Sequence, residues 1–157
     1  MTRPRAKDEL RDRAATPYAS SPEALRRMQS VRQAGTGPEL ALRRELFRRG
    51  FRYRVQVRLA EMPRRTIDLV FIRARVAVFI DGCFWHGCPE HGTWPKANAD
   101  FWRGKILANV ARDRETDQQL KEAGWSVVRV WEHEDPVAAA DRIVARLACA
   151  DEEAKQE

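Results

Sequence analysis

The sequence predicts an α/β fold in which helices flank a mixed central β-sheet. Apolar runs typical of strands are interleaved with stretches of helical periodicity, in the order ααβββαβα. The run over residues 74–80 is almost entirely apolar, which indicates a central strand buried on both faces. With 157 residues the chain is long enough to bury one core, and we expect a single domain over residues 20–150.

The N-terminal part predicts a basic arm followed by two helices. Residues 1–19 lack apolar periodicity, so we expect a flexible arm. Ser21 is a favoured helix-capping residue type, and it opens a helix predicted over residues 20–35. A second helix is predicted over residues 36–50, with a buried stripe of Leu42, Leu46 and Phe47.

Strand-like runs, a long helical stretch and turn residues predict the remaining elements. Three strands come first, followed by a long helix, a fourth strand and a last helix. Their predicted bounds are 52–57, 66–72, 74–80, 100–123, 125–131 and 135–147. Gly124 is the expected stop of the long helix, and we assign Trp125 and Trp131 of the fourth strand to the core. The acidic end, residues 151–157, is expected to fray.

Lysine and arginine are concentrated in the first part of the chain. Residues 1–58 contain 15 Lys and Arg against 6 Asp and Glu, whereas the other residues contain 14 against 17. This asymmetry indicates nucleic acid as a partner, although a solvated arginine-rich surface has the same composition. No apolar run is long enough for a membrane helix or follows the N-terminus as in a secretory leader. The three cysteines do not make a disulfide framework, so we expect a soluble cytoplasmic protein with no membrane partner.

Cysteine and histidine residues cluster directly after the apolar strand over residues 74–80. Cys83, Cys88 and His91 supply three metal ligands from one loop, and His133 follows a strand that could lie beside it. Two thiolates and two imidazoles are a typical ligand set for structural zinc. The alternative is a pair of packed cysteines with surface histidines. We favour a zinc that orders the loop carrying His86.

Two aspartates at strand positions predict a second metal site. Asp68 lies inside an otherwise apolar strand, and Asp81 ends the neighbouring strand. Two such carboxylates can share Mg²⁺ with water and phosphate oxygens, unless Asp68 simply faces solvent. Glu39 has two open interpretations: it completes a capping box with Thr36, or it lies on the buried helix face and points towards the metal.

His86 and Asp113 form a candidate catalytic pair. Asp113 shares the predicted inward face of the long helix with Asn109. A carboxylate bonded to one imidazole nitrogen fixes the tautomer and leaves the other nitrogen to accept a proton from water. In the alternative, Asp113 only pairs with the neighbouring Arg112 or Arg114.

Large aromatic side chains lie close to this pair in the sequence. Phe84 and Trp85 stand in the same loop as His86, where two exposed rings would be costly without a ligand. Rings of this kind can enter a base step and unstack the duplex. For Trp102, packing in the core is the favoured interpretation.

Several separated blocks together resemble the very short patch repair (Vsr) DNA mismatch endonucleases. The resemblance runs from about Ser30 to His133, and its blocks are Asp68, residues 79–91, 101–113 and 124–133. It implies a restriction-endonuclease-like fold, a structural zinc, and Mg²⁺-dependent nicking 5′ to the thymine of a T:G mismatch. In place of the acid-x-Lys triplet common in that fold, this chain has Asp81-Gly82-Cys83, so the base role is left to His86.

The resemblance also implies a role for each matching residue. Asp68 corresponds to the metal-binding aspartate, His86 to the catalytic histidine, Asp113 to its orienting partner and Glu39 to a glutamate near the site. The rings placed beside the mismatch correspond to Phe84, Trp85 and Trp102, with Lys105 and Asn109 as further candidate DNA contacts. The zinc positions are taken by Cys83, Cys88, His91 and His133.

Two other functions stay open at this level. One is a related restriction-type or nicking endonuclease with a different DNA target. The other is a zinc-stabilised DNA-binding module without catalysis, which Asp68 in an apolar strand argues against. The resemblance further implies a monomer in the bacterial cytoplasm, associated with the nucleoid, with mismatch-repair proteins as candidate partners.

Overall fold

The computed structural model describes residues 35–60 and 62–153, and these residues form a mixed α/β domain. The predicted arm over 1–19 and the predicted helix over 20–35 lie outside this part, except for Gly35 at the end of that helix. The described elements are α1 (Gly37–Arg48), β1 (Arg54–Val57), β2 (Ile67–Phe71), β3 (Val76–Asp81), α2 (Ala99–Glu122), β4 (Ser126–Trp131) and α3 (Pro136–Glu153). Their order is that predicted from the sequence.

The four described strands form one sheet in the order β1-β2-β3-β4. The first two neighbouring pairs are antiparallel, and β3 and β4 are parallel. The crossover between the parallel strands contains α2, as parallel pairing requires a long connection. The pairing runs from Val76 opposite Ser126 to Asp81 opposite Trp131, so the C-terminal ends of both strands lie side by side. The candidate site lies at these strand ends.

Helices cover both faces of the sheet. On one face, Val76 and Val78 of β3 pack with Leu46 of α1 and Ile143 of α3. On the other face, the alternate residues of β3 pack in a cluster that includes Leu120 of α2. Because successive strand side chains point to opposite faces, a continuous apolar strand needs this cover on both sides. The prediction of a buried central strand is therefore confirmed.

Local side-chain contacts cap the starts of α1 and α3. The Thr36 hydroxyl accepts a hydrogen bond from the amide of Glu39 at 3.4 Å, which caps α1. Asp135 caps α3 by accepting from the amides of Val137 and Ala138 at 2.9 and 3.0 Å. The helix that follows runs to Glu153, beyond its predicted end at residue 147. No helix in the described part of the chain is both long and apolar enough to cross a membrane.

Two predicted core aromatics lie elsewhere. The assignment of Phe47 to the buried stripe is wrong, because its side chain is 57% exposed and Arg52 lies over its ring at 4.1 Å. Leu46 already faces the core, and the next helical position is turned about 100° away. Trp131 is half-buried and stacks on His133 with 6.4 Å between ring centroids, whereas Trp125 is buried as predicted.

Candidate active site and metal-binding cluster

A tight loop leaves the end of β3 and carries most of the predicted site residues. The amide of His86 donates to the carbonyl of Gly82 at 3.2 Å, and the amide of Cys88 donates to that of Cys83 at 2.9 Å. Gly87 has a φ of +64°, and a Cβ there would lie 3.1 Å from the Ile106 side chain. This backbone conformation and this close approach to α2 both favour glycine.

His86 and Asp113 form a short hydrogen bond. The Nδ1 atom of His86 lies 2.6 Å from Oδ2 of Asp113, which projects from α2. Burial disfavours the charged imidazole, but the Asp113 bond and the nearby Asp81 and Asp113 charges outweigh it and raise the pKa of His86. Arg112 instead donates to Asn109 at 3.3 Å. The two residues therefore meet as the sequence predicts.

Asp81, the last residue of β3, approaches the same imidazole nitrogen of His86 as Asp113 does. Its Oδ1 is 3.7 Å from His86 Nδ1, and both of its oxygens accept from Nη1 of Arg129 at 2.8 and 2.9 Å. Burial raises the pKa of Asp81, and the Arg129 charge opposes that rise. One ligand atom each from Asp81, His86 and Asp113 lie within 4.8 Å of one another. A direct metal bond to Asp81 would compete with Arg129.

Asp68 lies in β2, and its carboxylate is held by two donors. Its Oδ2 accepts from the amide of Ile80 at 2.8 Å, and its Oδ1 accepts from the side chain of Gln56 at 3.1 Å. Burial raises the pKa of Asp68, and the nearby Glu39 and Asp81 charges add to the rise. A partly buried acid among like charges suits a bound divalent cation, which would relieve this repulsion. The predicted Asp68–Asp81 magnesium pair stays a prediction.

Glu39 matches the predicted capping box only in part, because its carboxylate bonds to the amide of Gly35, which precedes the cap, where a capping box has the amide of Thr36 itself. It is only 3% exposed, and its Oε2 accepts from the amide of Gly35 at 2.7 Å, next to the Thr36 cap. Its Oε1 is buried without a hydrogen-bond partner, with Arg43 Nη1 at 3.5 Å. The Glu39 charge contributes, after burial, to the raised pKa of Asp68. Its role in catalysis stays a prediction.

The four predicted zinc ligands converge beside this region. The four ligand atoms of Cys83, Cys88, His91 and His133 lie within 4.8 Å of one another. The Cys83 Sγ atom is 3.0 Å from His133 Nδ1, and Cys88 Sγ is 3.8 Å from the same nitrogen. Both cysteines are buried, and two thiols with two imidazoles fit the tetrahedral set that zinc prefers. The structure thus brings the four residues together, and their binding of zinc stays a prediction.

An aromatic cluster covers the outer side of the loop. Phe84 packs on Trp85 and Trp102 with centroid distances of 5.1 and 5.6 Å, and Lys105 Nζ lies 5.3 Å from the Trp85 ring. Trp102 is buried, as the core interpretation predicts, whereas Phe84 and Trp85 are half-buried. The side chain of Asn109 donates to the Trp85 carbonyl at 2.9 Å and so supports the loop. Contacts of these residues with DNA stay predictions.

Comparisons with known proteins agree with this geometry. The family model of the DNA mismatch endonuclease Vsr matches residues 22–91. The chain is 49% identical to the type II nicking enzyme V.NaeI of Lentzea aerocolonigenes over 124 residues, which cover 78% of this chain and 75% of the relative. It is 37% identical to the DNA mismatch endonuclease Vsr of Escherichia coli, over 67% of this chain and 66% of the relative.

The chain belongs to the Vsr family of DNA mismatch endonucleases. It is therefore an endodeoxyribonuclease, and the recognition made from the sequence blocks is confirmed. The mixed sheet with helices on both faces is consistent with the restriction-endonuclease-like fold that this family implies.

Sequence reasoning on this Vsr-family enzyme missed Arg129. This arginine lies in the middle of β4 and contacts three acids, Asp81, Asp113 and Asp117. One signal was available, since an arginine inside the run Val-Val-Arg-Val-Trp is as unusual as Asp68 in its own strand. The pairing with acids spaced four apart on α2 becomes visible only once that helix is packed over β4.

Proposed function

We propose that this enzyme nicks one strand of duplex DNA 5′ to the thymine of a T:G mismatch. The observation that carries the proposal is the 2.6 Å His86–Asp113 hydrogen bond on the loop that also presents Phe84 and Trp85. A general base and a pair of rings for opening the duplex then lie on one short segment. Membership of a DNA mismatch endonuclease family supports the same activity.

In the proposed reaction, His86 acts as general base. Because Asp113 engages Nδ1, the Nε2 atom is left to take a proton from the attacking water. The resulting hydroxide adds to phosphorus in line with the leaving 3′ oxygen. Asp113 and Asp81 are placed to stabilise the imidazolium that forms, since their oxygens lie 2.6 and 3.7 Å from Nδ1.

Asp68 is the proposed principal ligand of Mg²⁺, with Asp81 as a second candidate ligand. The bound ion would neutralise charge on the scissile phosphate and on the leaving oxygen. The like-charged surroundings of Asp68 support this assignment. Glu39 has one buried oxygen without a hydrogen-bond partner and is a further candidate for this acidic region.

Phe84 and Trp85 are the proposed wedge that enters the duplex beside the mismatch, and the buried Trp102 ring packs against both and supports them. A T:G pair stacks and pairs less favourably than a matched pair, so it costs less to distort, and this difference contributes to selectivity. Lys105, whose ammonium lies 5.3 and 5.7 Å from the Trp85 and Trp102 rings, is placed to meet a phosphate next to the opened step.

Zinc is the proposed occupant of the Cys83, Cys88, His91 and His133 cluster. All four positions of a tetrahedral ion are then filled by protein, which is the pattern of a structural site. The loop between the two cysteines contains His86, so the ion would hold the general base in place.

A nicking assay on paired duplexes tests the proposed function. With Mg²⁺, the wild-type enzyme is expected to cut a T:G duplex at least about 10-fold faster than its C:G control, because a mismatched pair costs less to distort and about 1.4 kcal/mol of that difference gives a factor of ten. Asp68→Ala is expected to lower that rate at least about 100-fold, because loss of the ion removes several kcal/mol of stabilisation. Asp141→Asn, at an exposed carboxylate paired with Arg49, is the matched control and should cut normally.

A related nicking enzyme with another DNA target is the second candidate. It is favoured by relatives that are named type II nicking enzymes, including V.XorIIP of Xanthomonas oryzae at 43% identity. Equal cutting of the T:G and C:G duplexes, combined with cutting of a different sequence, would select this candidate and reject the mismatch proposal.

Trp85→Ala is expected to weaken the preference for the mismatch. Loss of one stacking ring typically costs about 1–3 kcal/mol, which corresponds to a roughly 5- to 150-fold lower rate on the T:G duplex. Phe47→Ala, at an exposed ring on α1, is the matched control. Rates on T:G and C:G duplexes check the prediction, and a Trp85→Ala enzyme with unchanged discrimination would contradict it.

A further inference from the structure

Arg129 contacts three of the acidic residues around His86. Its Nη1 donates to both oxygens of Asp81 at 2.8 and 2.9 Å, and its Nε donates to both oxygens of Asp117 at 3.0 and 3.1 Å. Its Nη2 donates to the carbonyl of Asp113 at 3.3 Å and lies 3.5 Å from that residue's Oδ1. The guanidinium carbon also lies 4.6 Å from the centroid of the Phe79 ring, a cation–π contact.

The two acids that approach His86 both contact the Arg129 guanidinium. Asp81 and Asp113 approach the same imidazole nitrogen at 3.7 and 2.6 Å, so their like charges lie close together. The Asp81 side chain is only 7% exposed, and solvent can screen little of that repulsion. Arg129 contacts both acids at once, and it also ties β4 to α2.

We propose that Arg129 is a positioning residue that holds Asp81 and Asp113 in place around His86. Without it the two carboxylates separate, Asp113 no longer fixes the Nδ1–H tautomer, and Nε2 is less often available to accept a proton from water. The link from tautomer to reaction rate rests on the proposed general-base function of His86. The link from Arg129 to the tautomer does not.

Arginine suits this position better than lysine does. The guanidinium is a planar fork of five donors and serves Asp81, Asp113 and Asp117 in different directions. An ammonium keeps the charge but, from one point, cannot reach all three acids. Arg129→Lys is therefore expected to have an intermediate effect between the wild type and Arg129→Met.

A matched control exists on the other side of the sheet. Arg49 is likewise about one-fifth exposed and bridges two acids, Glu45 and Asp141, so its guanidinium is already engaged. Arg49→Met removes a comparable ion-pairing arginine at the contact between α1 and α3. It should lower the melting temperature without changing the chemistry at His86.

The experiment combines single-turnover nicking, DNA affinity and a long-range ¹H–¹⁵N spectrum of the free protein. That spectrum reports which imidazole nitrogen carries the proton, and His86→Ala assigns the signal. Arg129→Met is expected to lower the rate about 10- to 100-fold, the range typical when partners that orient a functional histidine are removed. DNA affinity should stay within about twofold, and His86 should lose its Nδ1–H form.

The outcomes separate positioning from mere structural support. A loss of rate and tautomer in Arg129→Met, with Arg129→Lys intermediate and Arg49→Met normal, supports the proposal. An Arg129→Met enzyme with the wild-type tautomer, or with no larger rate loss than Arg49→Met, overturns it. If Arg129→Met does not fold, the comparison of Arg129→Lys with Arg49→Lys decides by the same criteria. If the wild type does not cut the T:G duplex, the proposed function fails, while the spectrum still decides the role of Arg129.

Discussion

Replacing His86 with alanine is expected to lower the single-turnover nicking rate by about 10²–10⁴-fold, the typical contribution of a general base. The imidazole is fixed by Asp113 at 2.6 Å and has a raised pKa, so it is both oriented and basic enough to accept a proton from water. The rate on a T:G duplex with Mg²⁺ is the measurement. DNA affinity is expected to change by less than about twofold, because the proton transfer stabilises only the transition state.

Chemical rescue makes this prediction specific. The His86 side chain is 27% exposed, so removing it leaves a space that is open to small molecules from solvent. Added imidazole should restore part of the rate in His86→Ala, whereas it should not affect Asp68→Ala. A His86→Ala enzyme with nearly normal rate would remove His86 from the mechanism. An enzyme that has lost DNA binding along with activity would instead assign the residue a structural role.

Replacing Cys83 with serine is expected to release the zinc and inactivate the enzyme. Wild-type protein should contain about one zinc per chain, and a value below about half would itself contradict the proposed site. Metal binding coupled to folding contributes on the order of 10 kcal/mol in small zinc domains. We therefore expect the variant to lose roughly 3 kcal/mol or more of unfolding free energy, measured in denaturant. Nicking should fall with it, because His86 lies three residues beyond Cys83.

The chain provides its own control for this experiment. Cys149 is exposed on α3 and lies outside the four-ligand cluster. Cys149→Ser should keep the zinc, the stability and the activity of the wild type. If Cys83→Ser and Cys149→Ser carry equal amounts of zinc, the ion is not held by the proposed ligands.

The order of the strands and helices could be predicted from the sequence, because each element is indicated by the residues within it and at its ends. The apolar run that forms β3 needs cover on both faces wherever it lies, and Gly124 adopts the positive φ that ends α2. The pairing of His86 with Asp113 could also be predicted from the sequence, because a catalytic histidine needs a carboxylate to orient it. Their 2.6 Å contact follows once α2 crosses back over the sheet.

The features that could not be predicted from the sequence depend on how the helices and strands pack against one another. Leu46 and Phe47 are adjacent apolar residues, and only the position of α3 decides that one is buried and the other exposed. Arg129 is similar, because its partners come from β3 and α2 and none is near it in the chain. Glu39 fits a cap and an inward-facing acid equally well, and the packed structure gives it features of both.

During translation, β3 is made before its parallel neighbour β4, since Cys83 and His133 are 50 residues apart. Arg129 lies in β4, and His133 lies two residues after the end of that strand. A chain that has not yet reached β4 therefore lacks both residues. A slip of one residue in the pairing of Asp81 with Trp131 would have the same effect, because Glu132 would stand where His133 belongs. A chain that stops before β4 therefore lacks both the fourth member of the Cys/His cluster and the arginine that contacts Asp81 and Asp113.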